Sequence, residues 1–180
     1  MMTAQIANGG YAINPKIIVD SNPISYEDAK QSMESGLLFD NNSAELLDKK
    51  LFKNQRNIKI VQEAMFASTN ERFGTSYKSR IDDPKYQFAG KTGTAQVKRI
   101  SKRERELDLE LEQIPYKDRD HALYVAYGPY VNPRYALSII IEHGGSGSKA
   151  AAPIAKKLFK LIIDRHDLRN KQSNFERITV

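Results

Sequence analysis

Cysteine is absent from the 180 residues, and so is tryptophan. Without thiols there is neither a disulfide framework nor a thiolate metal site, and the redox compartment stays open. A long hydrophobic run is missing as well. The longest strongly apolar stretch, Leu137 to Ile141, is strand-sized, far short of the roughly 20 residues that cross a bilayer. The opening MMTAQIANGG lacks the basic flank and long apolar core of a secretion signal, so the chain made as written is expected to stay in the cytoplasm. Internal repeats and low-complexity tracts are also lacking. What is present is 40% apolar and 28% charged residues with 10 Gly and 7 Pro, the balance of one soluble domain or part of one.

The formal charge of +6 raises the question of a polyanionic partner, which its distribution answers better than its total. Residues 98–120 carry seven basic residues (Lys98, Arg99, Lys102, Arg103, Arg105, Lys117, Arg119) and seven acidic ones (Glu104, Glu106, Asp108, Glu110, Glu112, Asp118, Asp120). They cancel. From Lys149 onward eight basic residues meet three acidic ones, net +5, which reads as the solvated face of a C-terminal helix. The functional alternative is a basic module for nucleic acid or an anionic membrane. Only Phe159 and Phe175 accompany these basic residues, too few aromatics for a base-stacking surface, which argues against nucleic acid as a partner.

Met2 to Asn8 reads as a short helix stopped by Gly9 and Gly10, so the chain opens inside an element and an internal start is expected. KIIV (16–19) is a short strand candidate, and residues 20–42 are loop-rich. Ser43 can cap a helix over AELLDKKL, and a stronger helix runs from about Gln55 to Ala67, with Ile58, Val61, Ala64 and Met65 on one face. Three strand candidates follow at 86–97, 121–130 and 134–143. The last two are joined by VNPR and form an antiparallel hairpin. Between the first two, residues 98–120 suggest an exposed helix or mobile excursion. After Gly144, Gly145 and Gly147 comes an amphipathic helix, about 149–166, carrying Ile154, Leu158, Leu161 and Ile162. The expected fold is α+β, three antiparallel strands covered by a C-terminal helix. It divides into a helical and loop region (1–85), the sheet and helix (86–166) and a polar tail that frays (167–180).

Gly90-Lys91-Thr92-Gly93-Thr94 carries the chemistry. It lies on a strand candidate, and its spacing is not that of a P-loop, which needs a longer glycine-rich run before a helix. An ammonium and hydroxyls around a glycine on a strand can hold a carboxylate, while the missing side chain lets substrate backbone lie close. The composition predicts only about 0.003 chance occurrences of such a run. A Lys-Thr-Gly strand is one of three motifs of penicillin-recognising serine enzymes, with Ser-x-x-Lys and a Ser-Asp-Asn-type triplet.

The order GKTGTAQV, charged excursion, DHALYVAYGPYVNPRYALSIIIEHGG and Ala-rich helix resembles the C-terminal part of the transpeptidase domain in class B penicillin-binding proteins of the elongation, penicillin-binding protein 2 type. MMTAQIANGGYAINPKIIV and the helix before Gly74-Thr75 are similar to the stretch preceding that strand; the likeness is weakest at 20–54 and 98–120. The resemblance implies a serine β-lactamase-like fold that gains two more strands and a helical subdomain from a preceding half. It implies peptidoglycan D,D-transpeptidation by serine acyl transfer, on D-Ala-D-Ala stem peptides and β-lactams, with no cofactor and no metal. Lys91 would supply positive potential, Thr92 and Thr94 hydroxyls would bind the carboxylate, Gly93 would keep the strand open, and the Thr94 backbone N–H would form half of an oxyanion hole. The family is anchored in the inner membrane with this domain in the periplasm.

The nucleophile is missing: no Ser-x-x-Lys precedes Lys91. The chain alone is therefore expected to be inactive, and a preceding half on another chain is the partner it would need. Ser146-Gly147-Ser148-Lys149 matches the pattern but follows the strand, and about 1.2 such matches arise by chance. Ser68-Thr69-Asn70 imitates the triplet, with about 0.8 expected by chance, and reads as a helix end. His121, His143 and His166 appear isolated, without metal-ligand spacing.

Overall fold

Gly9 and Gly10 end the first helix, α1 (Met2–Ala7), at φ +86° and +90°, a conformation other residues resist. The computed structural model describes residues 1–13, 15, 50–99 and 109–178, with side chains as far as 169. The strand and helix expected at 16–19 and 43–51 fall on or run into residues outside these. The chain forms two compact units, Met1–Val61 and Gln62–Val180. In the first unit, Tyr11 makes an antiparallel bridge to Lys50, the Leu51 N–H donates to the Gly10 carbonyl at 2.9 Å, and Ile58 is buried.

α2 (Gln55–Asn70) starts where Asn54 Oδ1 accepts the Arg56 N–H at 2.9 Å, satisfying a free helix-start donor. It runs three residues past the expected end, because the Thr69 and Asn70 side chains find partners in the fold. Its buried positions are Ile58, Met65 and Thr69; Val61 and Ala64, expected on the same face, are exposed.

The second unit holds an antiparallel sheet in the order β1 (Ala89–Ala95), β2 (His121–Gly128), β3 (Tyr135–Ile141). Thr92 pairs with Tyr124, and Ala126 with Leu137. The Arg134 N–H donates to the Gly128 carbonyl at 3.1 Å and closes the hairpin where VNPR predicts it. Ala122, Tyr124 and Ala126 are fully buried with Ala151, Ala152, Ala155, Phe159 and Ile163. Alanines on both surfaces let helix and sheet approach closely, and Phe88 stacks on Phe159 at 4.9 Å. Burying side chains such as Phe159 and Ile163 stabilises by about 1.5–3 kcal/mol each.

The helix that supplies these residues begins with a π-helical turn, Gly147–Ala151, and continues as α3 (Ala152–Ile178). It passes well beyond the expected end at 166. Residues 167–178 contain no Gly or Pro and several good helix formers, so nothing local stops it, and the expected fraying tail is helical instead. Of the charged excursion, 100–108 lie outside the described residues. The described remainder forms two short 3-10 turns, Leu111–Gln113 and Tyr116–Asp118, rather than a long helix.

Candidate active site

The Lys-Thr-Gly run occupies the centre of β1, whose outer edge is unpaired among the described residues. An open edge presents backbone N–H and C=O groups that an extended peptide can join as a further strand. Strand alternation puts Lys91 and Gly93 on one face and Thr92 and Thr94 on the other. Lys91 is exposed, and its Nζ donates to the Thr92 carbonyl at 2.7 Å. The Thr92 hydroxyl lies 3.2 Å from Thr75 Oγ1, which lies 3.2 Å from Ser68 Oγ. No side-chain hydrogen bond within the described residues engages the exposed Thr94 hydroxyl.

Behind this strand sits a buried knot of hydroxyls. Tyr124 Oη is 2.9 Å from Thr69 Oγ1 and 3.1 Å from Ser76 Oγ, and the two are 3.3 Å apart. It ties the end of α2, the following loop and β2 together directly under Gly90. A Cβ at Gly90 would collide with the Tyr124 ring and hydroxyl, so the first glycine of the motif is needed for packing. Gly93 differs: a Cβ there would meet only Leu123 Cβ at an ordinary 3.4 Å. A demand for glycine at 93 therefore comes from what lies against the strand, not from the fold.

Sequence reasoning missed three contributors. Thr75 orients Thr92. Gly74 allows the loop back against α2, since a Cβ there would sit 2.5 Å from the Ala67 carbonyl oxygen. Gly147 passes flush against the strand, where a Cβ would lie 2.6 Å from the Gly93 carbonyl oxygen. The glycines were visible as letters, but their contacts are long-range and left no local signal.

The lookalike motifs resolve differently. Ser146 Oγ is 3.0 Å from Ser148 Oγ, and no hydrogen bond joins it to the exposed Lys149 ammonium. Ser68-Thr69-Asn70 ends α2, with Asn70 Nδ2 donating to the carbonyls of Phe66 at 3.0 Å and Phe88 at 2.9 Å. The histidines are not all isolated. The rings of His121 and His143 meet at 4.8 Å, and the His143 N–H donates to His121 Nδ1 at 2.9 Å; His166 Nδ1 is 2.6 Å from Tyr135 Oη. No group of three or more metal-ligating side chains occurs among the described residues. No helix among them is long and apolar enough to cross a membrane.

The family model of the penicillin binding protein transpeptidase domain matches residues 1–160. Peptidoglycan D,D-transpeptidase MrdA of Salmonella typhimurium is 37% identical over 105 residues, 58% of this chain and 16% of that protein. The Acinetobacter baumannii protein of the same name is 42% identical over 77 residues, 41% of this chain and 11% of that protein. Among solved structures, Pseudomonas aeruginosa PBP2 in complex with WCK 5153 is similar with a TM-score of 0.59 and 28% identity, over 89% of this chain and 28% of that one. The chain thus spans less than a third of each of these relatives.

Proposed function

Because the chain belongs to the penicillin binding protein transpeptidase domain family, we propose that it is the C-terminal part of a peptidoglycan D,D-transpeptidase of the penicillin-binding protein 2 type. The observation that carries this reading is the Lys91-Thr92-Gly93-Thr94 run on a strand with an open edge. A stem peptide ending in D-Ala-D-Ala adds to that edge, and its terminal carboxylate is held by the Thr92 and Thr94 hydroxyls in the positive potential of Lys91. The Thr94 backbone N–H is one of two donors to the oxyanion that develops on acylation, a contribution of about 3 kcal/mol in comparable sites. β-Lactams occupy the same place. The strand works in the periplasm, within a protein anchored to the inner membrane.

Acyl transfer needs a serine and its lysine base to converge on this strand, and such units lose most of their rate when one member is missing. This sequence has no Ser-x-x-Lys ahead of Lys91. Intact-mass spectrometry after incubation with a penicillin tests the reading. The 180-residue chain is expected to form no adduct. A longer chain supplying Ser-x-x-Lys ahead of the strand is expected to be labelled, and Lys91→Ala to abolish that labelling. An adduct mapped to Ser146 overturns the assignment.

A further inference from the structure

The basic residues of the C-terminal helix do not all face open solvent. Lys149, Lys156, Lys157 and Lys160 line one cleft of ≈ 770 Å³ together with Arg72 and Lys78, from the segment after α2. No acidic residue lines it, and no ion pair among the described residues engages any of the six. Asp164 and Asp167 are paired with Lys85, and Asp82 with Arg80, although, after the Tyr86 hydroxyl and Lys85, the charge of Lys160 also helps to lower the Asp164 pKa. Six cations around one concavity, none in an ion pair among the described residues although Lys160 lies over the Tyr86 ring at 5.8 Å, repel one another, and a bound polyanion relieves that repulsion. Five of the six are lysines, compact point charges that can follow phosphate oxygens without the planar alignment an arginine fork requires, and the higher charge density of linked phosphates makes them the anions such a cluster attracts most. Hydroxyls of Thr75 and Ser148 add neutral donors at the wall. The volume is several times that of one phosphate group.

We propose that this cleft is a binding site for a ligand bearing two or more phosphate groups. It is separate from the carboxylate strand: none of residues 91–94 lines it, and it adjoins them through Thr75, 3.2 Å from Thr92 Oγ1. The proposal does not depend on the transpeptidase reading.

Calorimetric titration of the full chain with sodium tripolyphosphate at low salt tests it. K156Q/K157Q/K160Q is expected to raise Kd about tenfold or more, while K53Q/R56Q/K59Q, an equal charge loss outside the cleft, leaves it within about twofold. Citrate, with three carboxylates and fewer negative charges than tripolyphosphate at neutral pH, is expected to bind about tenfold more weakly. Far-UV circular dichroism checks folding, and R72Q/K78Q replaces the helix variant if that one misfolds. Absence of binding, equal weakening by the two triple variants, citrate as tight as tripolyphosphate, or a DNA duplex that binds more tightly at equal phosphate concentration each overturns the proposal. A second arm separates two sources of the same chemistry. Binding to cardiolipin vesicles, whose headgroup carries two phosphates, that tripolyphosphate displaces assigns a lipid headgroup, and tripolyphosphate binding without vesicle binding assigns a soluble phosphate.

Discussion

Tyr127 is fully buried, and its hydroxyl has no hydrogen-bond partner among the described residues. Burial without a partner penalises the ionised form most, and the Tyr127 pKa is pushed up by desolvation and then by Tyr130. The sign follows. The folded state holds the neutral phenol while the unfolded chain ionises near pH 10, so stability is unaffected by this titration below about pH 10 and falls as pH rises above it. Tyr127→Phe is expected to raise stability at neutral pH by up to about 1 kcal/mol and to flatten the alkaline fall, as read by urea denaturation across pH. Gly90 makes the opposite case. Gly90→Ala forces a methyl into Tyr124 and is expected to cost about 1–3 kcal/mol, whereas Gly93→Ala leaves stability nearly unchanged. A Gly93→Ala loss of stability equal to that of Gly90→Ala would contradict the packing role assigned to each.

Between elements, the segment before β1 is clamped to α3 by charge. Lys85 Nζ lies 2.9 Å from Asp167 and 3.2 Å from Asp164, and Tyr86 Oη donates to Asp164. The Tyr86 hydroxyl, then Lys85, holds the Asp164 pKa below its ordinary value; Lys85 does the same for Asp167, and the Lys85 pKa is raised, chiefly by Asp167. Depressed carboxylates stabilise the fold above about pH 4 and lose that effect as pH falls through their folded pKa. Lys85 and Asp164 are exposed and Asp167 is only partly covered, so the effect is small and screened by salt. Lys85→Met with Tyr86→Phe is expected to make thermal stability less dependent on pH between about 4 and 2, measured by calorimetry at low salt. An unchanged acid profile in the double variant would remove the clamp from the account. The hydroxyl knot is the uncharged counterpart, and Tyr124→Phe is expected to cost about 1–2 kcal/mol by leaving Thr69 and Ser76 short of a partner.

At the scale of the whole molecule, large apolar side chains remain in solvent. Ile154, Leu161 and Leu168 recur every seven residues along one side of α3, and Ile140 on β3 is also exposed. Surface of this kind favours association, so sedimentation velocity is expected to show concentration-dependent oligomers, and a monodisperse monomer up to about 100 μM would argue otherwise. The three strands and the presence of the covering helix are readable in the sequence, because period-two runs, a turn between two of them and helical spacing are local patterns, and the transpeptidase fold follows from the family resemblance. The face the helix buries is not readable, since Ile154 and Leu161 of the expected stripe are exposed while Phe159 and Ile163 are buried. The Lys-Thr-Gly run was readable for the same reason, as adjacent letters improbable by composition. The length of α3 past 166 is not readable from polarity, because a polar run without a helix breaker does not stop a helix. The Thr75 contact to Thr92, the bed of Tyr124 beneath Gly90, the meeting of His121 with His143 and the gathering of six cations into one cleft all join residues 17 to 88 positions apart. Sequence by itself determined which elements form and which strand carries the motif; only tertiary structure decided what surrounds it, because distances across the fold depend on how faces pack and not on the order of residues along the chain.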